Sequence, residues 1–386
     1  MNSRAYNETV ELTDRELVGS NGAIRILYQF KPATTVLDLS HNHLLGHDGL
    51  RSLIDGMEEL FVVNEKQPEW ALKELSLVNC GLGGNATNLS LIQLARLLSL
   101  IPSLELLNLT NNDLNDLPAP LLDSIMSHPS LQTLHLSTNP QLGLSFRPGT
   151  RCAIYKLLSR LIDTASTSTL TIRRLSLNDT EIPAESCGPL LERLISLGSR
   201  GLEALTLNMN PSLERYSPVD QDTSFVDSRL LRTLVRIVSE KNRFIQRFEI
   251  FGCSSGLSEF LQVGLLPTLE LALERNKTFL KETRQTALNV LRVGRIVLLG
   301  SMPSSIEKSR QGRFPILDLP PELIQPILSS MIPGALSEHQ VRAVLRWASD
   351  RRTLVGFSRR RSSLRVDTEI EKFKFLKAVG CYYYDC

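Results

Sequence analysis

An apolar run is missing from the first twenty residues of this chain, which carry Glu8, Glu11, Asp14 and Glu16 where a signal peptide or membrane anchor would be uniformly apolar. The expected location is therefore the cytoplasm, with no membrane partner. Close cysteine pairs are also missing. Cys80, Cys152, Cys187, Cys253, Cys381 and Cys386 form no C-x-x-C, which excludes zinc-knuckle spacing and a small disulfide framework and makes reduced thiols the expectation. The six N-x-S/T sequons, at Asn7, Asn85, Asn88, Asn108, Asn178 and Asn276, are read as chance occurrences. Charge of one sign is lacking too: 43 Lys and Arg against 41 Asp and Glu leave a net +2, which argues against a surface built around phosphate. The local exception runs from Arg342 to Lys377, with Arg351-Arg352 and Arg359-Arg360-Arg361, a basic tail suited to a solvated face or to nuclear import. Finally, no G-x-x-x-x-G-K-[ST], H-E-x-x-H or G-x-S-x-G occurs, and Gly81, Gly83 and Gly84 do not make a phosphate loop. His41, His43 and His47 are close in sequence but have no cysteine nearby, and read as loop surface. The chain is expected to be no enzyme and to carry neither cofactor nor metal.

A repeat is present. The template L-x-L-x-x-(N/C/T)-x-L recurs as Leu37-Asp-Leu39-Ser-His-Asn42-His-Leu44, Leu75-Ser-Leu77-Val-Asn-Cys80-Gly-Leu82, Leu107-Asn-Leu109-Thr-Asn-Asn112-Asp-Leu114 and Leu175-Ser-Leu177-Asn-Asp-Thr180-Glu-Ile182. Leu134-His-Leu136-Ser-Thr-Asn139 and Leu205-Thr-Leu207-Asn-Met-Asn210 begin the same way and place the last leucine one residue late, at Leu142 and Leu213. Phe248-Glu-Ile250-Phe-Gly-Cys253 is a degraded final copy. In a short strand alternate side chains face opposite sides, so the two leucines of each copy point inward and the residues between them point outward. The Asn, Cys or Thr position lies where the chain bends. Its side chain is expected to bond backbone groups that the bend leaves unpaired, which makes Cys80 and Cys253 structural.

The strand starts at residues 37, 75, 107, 134, 175, 205 and 248 lie 38, 32, 27, 41, 30 and 43 residues apart, and the extra length carries helical periodicity. Leu50, Leu53, Ile54 and Met57 keep i, i+3, i+4, i+7 spacing, as do Leu91, Leu94, Ala95 and Leu98, with Leu230, Leu234, Ile237 and Val238 close to it. The longest intervals suggest insertions at Phe146 to Thr171 and Pro211 to Asp227, projecting as loops or added helical turns. Strand, turn and helix repeated in this way resemble the ribonuclease-inhibitor type of leucine-rich repeat over residues 34–255. The resemblance implies an α/β horseshoe solenoid with parallel strands on the concave side and helices on the convex side.

An open solenoid needs caps. Thr13-Asp-Arg-Glu16 is a capping-box pattern that would open a helix in an N-terminal cap, 1–33. Leu269 to Leu299 reads as two helices parted near Arg275-Asn276-Lys277, with Leu280, Ala287, Leu288 and Leu291 on one face, making a helical C-terminal cap, 256–299. Residues 300–313 are a linker rich in breakers. In the last unit, 314–386, Leu319-Pro320-Pro321-Glu322-Leu323 leads to Ile327 and Leu328, and Trp347 follows at the end of a helix-like stretch. These residues resemble an F-box, which implies docking of a Skp-type adaptor of a cullin ubiquitin ligase at 314–350. Pro326 inside the first helix and a position after the repeats depart from that family's pattern. The order of repeats, cap and L-P-P-E-L segment also resembles a group of fungal repeat proteins.

The expected function is a non-enzymatic scaffold that holds a protein or peptide on its concave face. That face is read from the strands as Asp38, Ser40, Ser76, Val78, Asn108, Thr110, His135, Ser137, Ser176, Asn178, Thr206 and Asn208. It is polar and nearly uncharged, without the arginine comb or aromatic platforms that nucleic acid needs, so a nucleic-acid partner is disfavoured. Two alternatives stand beside this reading. One is the F-box-type substrate receptor. The other follows from a resemblance to the Ran GTPase-activating protein, a similar horseshoe, which implies an arginine-supplying loop. Here the loops after Leu44, Leu82 and Leu114 hold no arginine, and Arg147 and Arg215 are the candidates.

Overall fold

The computed structural model describes residues 8–63, 70–83, 88–144, 151–167, 170–198, 201–213, 229–253, 264–299, 336–349 and 366–382. The chain is α/β. Eight strands, β1 (Glu8–Glu11), β2 (Thr34–Asp38), β3 (Glu74–Ser76), β4 (Leu106–Asn108), β5 (Thr133–His135), β6 (Arg174–Ser176), β7 (Ala204–Thr206) and β8 (Arg247–Glu249), pair in sequence order into one all-parallel sheet. The connecting helices are α1 (Gly19–Gln29), α2 (Gly46–Val63), α3 (Leu89–Leu100), α4 (Ala119–Ser127), α5 (Ala153–Thr167), α6 (Ala184–Ser196) and α7 (Arg229–Arg236), the last running into a π turn at Ile237–Lys241. Each strand is added beside its predecessor on the same side. With the right-handed crossovers general to parallel strands, the described connecting helices fall on one face of the sheet and leave the other face clear of them.

The register aligns the repeat. Leu37, Leu75, Leu107, Leu134, Leu175, Leu205 and Phe248 pair one to the next across six strand pairs and are all buried. With their i+2 partners and the helix residues Leu50, Leu53, Ile54, Met57, Leu91, Leu94 and Leu98 they form one continuous core. Its composition explains the layering: the strands supply two apolar residues each, too few to fold alone, and the helices cover them.

One more copy exists than the template finds. Val10 pairs with Leu37, and Val10, Leu12 and Leu17 are buried in the places of the template leucines, with Arg15 at the bend. The supposed capping box at Thr13 to Glu16 therefore opens no helix. Asp14 and Glu16 sit at φ 54° and 51°, and α1 begins at Gly19 after Val18. Pairing with β2 and burial of Val10 and Leu12 outweigh the local capping preference of Thr13.

Every strand ends in the same way. The residue before the bend position, Asp14, His41, Asn79, Asn111, Thr138, Asp179, Met209 or Gly252, has positive φ in all eight copies. Asn, Asp, His and Gly tolerate this conformation, whereas Thr138, β-branched, and Met209 are strained there. After the bend the copies divide into two kinds. In one, the next residue is also left-handed (Glu16, Gly81, Asp113, Glu181) and the apolar anchor comes second, at Leu17, Leu82, Leu114 and Ile182. In the other, a tight turn closed by an N–H to the bend carbonyl (Leu45 to Asn42, 3.0 Å; Leu142 to Asn139, 3.0 Å; Leu213 to Asn210, 3.1 Å) places the anchor third. Leu45, not Leu44, is thus the anchor of its copy: Leu45 is 1% exposed and Leu44 68%.

One of the expected insertions needs correction. Within Phe146 to Thr171, α5 is the repeat's own packing helix, with Ile154, Leu157, Leu158, Leu161, Ile162 and Ala165 turned into the core at i, i+3, i+4 spacing. Of Pro211 to Asp227, Pro211–Leu213 is a 3-10 turn whose Leu213 is buried, and 214–228 lie outside the described residues.

His128 follows α4 and is buried. Its Nε2 lies 3.0 Å from Ile101 O, and the N–H groups of Ser130 and Leu131 donate to its Nδ1 at 3.3 and 3.1 Å. That pattern fits a neutral ring protonated on Nε2. Asn242 does the same work three helix layers later, donating to Ile195 O and accepting from Phe244 and Ile245. Burial lowers the His128 pKa against smaller opposing effects of the Ile101 and Leu98 backbone. A base whose folded pKa lies below its unfolded value of about 6.5 leaves stability intact above that pH, and stability is lost as pH falls toward the folded value. His128→Asn, which preserves the bonds without a titrating ring, is expected to flatten the fall in urea midpoint between pH 7 and pH 5; an unchanged slope would remove His128 as its source.

The chain divides into two compact units, 1–273 and 274–386, and the division falls inside α8 (Leu266–Leu299). This helix is continuous through Arg275-Asn276-Lys277, where two helices were expected. No Gly or Pro interrupts it there, and Arg275, the buried Asn276 and Lys277 do not end a helix. In the second unit, Ala287 and Val290 of α8 pack with Val344 of α9 (Glu338–Ser349) and with Phe375, Leu376, Val379 and Cys381 on and after α10 (Val366–Ala378). Residues 274–299 therefore belong to this unit instead of serving only as a cap on the repeats. A reciprocal pair opens α9: Ser337 N–H donates to Gln340 Oε1 and Gln340 N–H to Ser337 Oγ, at 2.9 and 3.2 Å. The linker 300–313 and the arginine groups at 351–352 and 359–361 lie outside the described residues. Among the described residues no helix is long and apolar enough to cross a membrane.

Candidate functional site

The clear face of the sheet carries three columns of outward residues. The middle one runs Glu11, Asp38, Ser76, Asn108, His135, Ser176, Thr206, Glu249, each paired in register with the next. Two residues further along each strand, Ser40, Val78, Thr110, Ser137, Asn178 and Asn208 form the second column, which ends at Phe251. All twelve residues expected on this face lie on it. They are not equally open: Ser40, Ser137, Ser176 and Thr206 are buried, while the other eight are half-buried.

The burial follows from hydrogen bonds among the strands. Ser40 Oγ bonds Asp38 Oδ1 and lies 2.9 Å from Ser76 Oγ, and Thr110 Oγ1 donates to Asn108 Oδ1 at 2.7 Å. A hydroxyl chain runs from Ser137 through Ser176 to Thr206, with 2.7 and 2.8 Å between oxygens. Asn178 Oδ1 accepts from Asn208 N–H, and Asn208 Oδ1 accepts from Phe251 N–H at 2.7 Å. Much of the polar surface is thus satisfied internally, which leaves less of it for a ligand.

The residues that the strand pattern missed lie at the far end. Arg247 Nε donates to Glu249 Oε1 at 2.6 Å, and Asn208 Nδ2 donates to Glu249 Oε2 at 2.9 Å. Partial burial acts to raise the Glu249 pKa, but these two bonds and the Arg247 charge together hold it below the ordinary value. Burial, then the same Arg247 charge, lowers the pKa of His135. Phe251 is 81% exposed, and Met209, 55% exposed, bonds its backbone N–H to Phe251 O at 2.7 Å. Arg174 and Glu74 belong to the third column, two residues before the middle one on each strand. Carrying the i, i+2 alternation two residues back along each strand, and through the degraded copy at Phe248, would have found these residues except Met209, which stands at the left-handed turn position.

Among the described residues no group of three or more His, Cys, Asp or Glu could hold a metal. His43 Nδ1 lies 3.0 Å from Asn79 Oδ1 and His41 Nδ1 lies 3.4 Å from Asn79 Nδ2, so both rings on this turn edge are engaged by one amide. Cys80 and Cys253, at bend positions, donate their thiols to Leu39 O and Leu207 O; burial pushes their pKa values up to about 12 and about 11, which makes them inert. On the helix side, a groove of about 430 Å³ lies between α4 and α5. Ion pairs there join Lys156 to Asp116 at 2.8 Å and Arg160 to Asp123 at 3.1 Å, and the Arg151 guanidinium lies over the Tyr155 ring.

Of the F-box-like residues, Trp347 lies on α9 with its ring 6.0 Å from that of Phe375, in the core of the second unit. Leu319, Pro320, Pro321, Glu322, Leu323, Ile327 and Leu328 lie outside the described residues, as do Arg147 and Arg215. Comparison with known proteins adds no relative to this picture: no protein-family model matches the chain, and no curated protein matches it.

Proposed function

We propose that the chain is a leucine-rich-repeat horseshoe acting as a non-enzymatic scaffold, which holds a protein or peptide partner on the sheet face opposite its helices. The observation that carries this reading is the end of that face around β7 and β8. There Phe251 and Met209 stand exposed beside Arg247, while the rest of the face is largely closed by its own hydrogen bonds. Aromatic, methionine and arginine side chains concentrate binding energy at protein interfaces, and surrounding satisfied polar groups add complementarity at small cost. The expected anchor is therefore Phe251 with Arg247, flanked by Glu249, Asn208 and His135.

The test uses immobilised full-length chain to capture partners from a cell lysate, followed by affinity measurement on each captured protein. The double variant Arg247→Ala, Phe251→Ala is expected to weaken the partner by about thirty-fold or more, the effect of losing a hot spot of about 2 kcal/mol. Tyr28→Ala, which truncates an equally exposed aromatic on α1, is expected to bind as the unaltered chain does. The reverse pattern, full binding by the double variant and loss in Tyr28→Ala, moves the site to the helices and removes this reading.

A further inference from the structure

Two of the buried cysteines face each other. Cys152 Sγ and Cys187 Sγ are 3.9 Å apart although 35 residues separate them in sequence, one immediately before α5 and the other in the first turns of α6. Cys80 and Cys253 differ: each is directed at a carbonyl oxygen. We propose that Cys152 and Cys187 are a dithiol that closes to a reversible intrachain disulfide when the protein meets a peroxide, tying the start of α5 to α6.

The geometry divides the labour between the two sulfurs. Cys152 stands at the N-terminus of α5, where Tyr155 N–H donates to its Sγ at 3.4 Å and the helix dipole favours negative charge. Hydrogen bonding from the Cys187 thiol, opposed by burial and aided by the Tyr155 and Ile154 N–H groups, holds the Cys152 pKa below the ordinary thiol value. The Cys187 thiol is held high by the same partner and by burial, so it stays protonated as the donor. Cys152 is also the one with access to solvent, 5% exposed against 0% for Cys187. Closing the bond requires the sulfurs to approach from 3.9 Å to about 2.05 Å.

The chemistry balances with hydrogen peroxide as oxidant. The Cys152 thiolate attacks one peroxide oxygen, the O–O bond breaks, and the released hydroxide takes up the proton that Cys152 gave up, leaving a sulfenic acid and one water. Cys187 Sγ then attacks the Cys152 sulfur. An S–S bond forms as the S–O bond breaks, and hydroxide departs with the Cys187 proton as a second water. Two thiols lose two electrons in all, and one peroxide becomes two waters. A dithiol reductant reverses the step by thiol–disulfide exchange.

The experiment treats folded full-length chain with hydrogen peroxide until exposed Met209 is oxidised to the sulfoxide, which shows that the oxidant dose was sufficient. Remaining thiols are alkylated in denaturant, and peptides are mapped without reduction. The expected product is a Cys152–Cys187 cross-linked peptide, with Cys80 and Cys253 recovered as alkylated thiols. Tm is expected to rise by about 5–10 °C and to return after dithiothreitol. Cys187→Ser is expected to stop at the sulfenic acid, trapped on Cys152 by dimedone, and Cys152→Ser is expected to leave Cys187 unoxidised. Recovery of both residues as free thiols beside oxidised Met209, or cross-linking only after denaturant is added, overturns the proposal. Dimedone on Cys187 in Cys152→Ser in place of Cys152 in Cys187→Ser overturns the assigned order.

Discussion

Asn139→Ala is expected to lower the stability of the repeat unit by about 3–5 kcal/mol, read as a fall in the urea midpoint at pH 7. Asn139 Oδ1 accepts from the N–H groups of Asn112 and Leu114, which belong to the preceding copy, at 2.9 and 3.1 Å. Its Nδ2 donates to Leu109 O of that copy and to Leu136 O and Ser137 O of its own. One amide therefore closes two bends. Alanine removes the side-chain partner of two buried N–H groups and of the Leu109 and Leu136 carbonyls, while Ser137 O still accepts from Asn111 N–H, and each orphaned group costs about 1–3 kcal/mol. Asn42 closes the copy before it in the same way through Arg15 and Leu17, Asn112 through Cys80 and Leu82, and Asn210 through Thr180 and Ile182. Asn139→Cys is expected to fall between the two, because a thiol keeps one donor, as Cys80 and Cys253 do in the equivalent places, and gives up the strong acceptor. A loss below about 1 kcal/mol for the alanine variant would mean that water replaces the amide and that the ladder is not what holds successive copies together.

Gly143→Ala is expected to cost about 3 kcal/mol or more, at the upper end of what overpacking produces. An added Cβ at this position would overlap backbone atoms of Thr180 and Glu181 in the next copy. A flexible side chain could move aside, but the backbone of a stacked turn cannot do so without separating the two copies. The control is Gly46→Ala. Gly46 has φ +51° with nothing within 4 Å of the added Cβ, so only the left-handed conformation is penalised, by about 1–2 kcal/mol. A loss for Gly143→Ala no larger than that for Gly46→Ala in urea unfolding would show that contact between turns does not govern Gly143.

The positions of seven strands were legible in the sequence because the signal is redundant: two leucines at i and i+2, a polar bend residue, and a third apolar residue soon after. The outward residues Asp38 to Asn208 followed from the same alternation. The strand at Val10 was not legible, because Arg15 stands at its bend and its only strong signal, Thr13 to Glu16, points to a helix. The end of the face around Phe251 was passed over because phenylalanine and isoleucine replace the leucines of that copy. The helix of α5 was read as an insertion because only spacing was counted there and not the phase of its apolar residues.

The sequence by itself determined the class of structure, a parallel sheet of short strands alternating with helices, because strand and helix periodicities are local properties of the chain. Tertiary structure alone decided which leucine anchors a turn, Leu45 over Leu44, and that α8 continues through Arg275-Asn276-Lys277 into a second core. It also decided that Arg247, Glu249 and Phe251 share a face with His135, and that Cys152 meets Cys187. The meetings of side chains among these join parts of the chain far apart in sequence, and the sequence within one copy carries no record of the others.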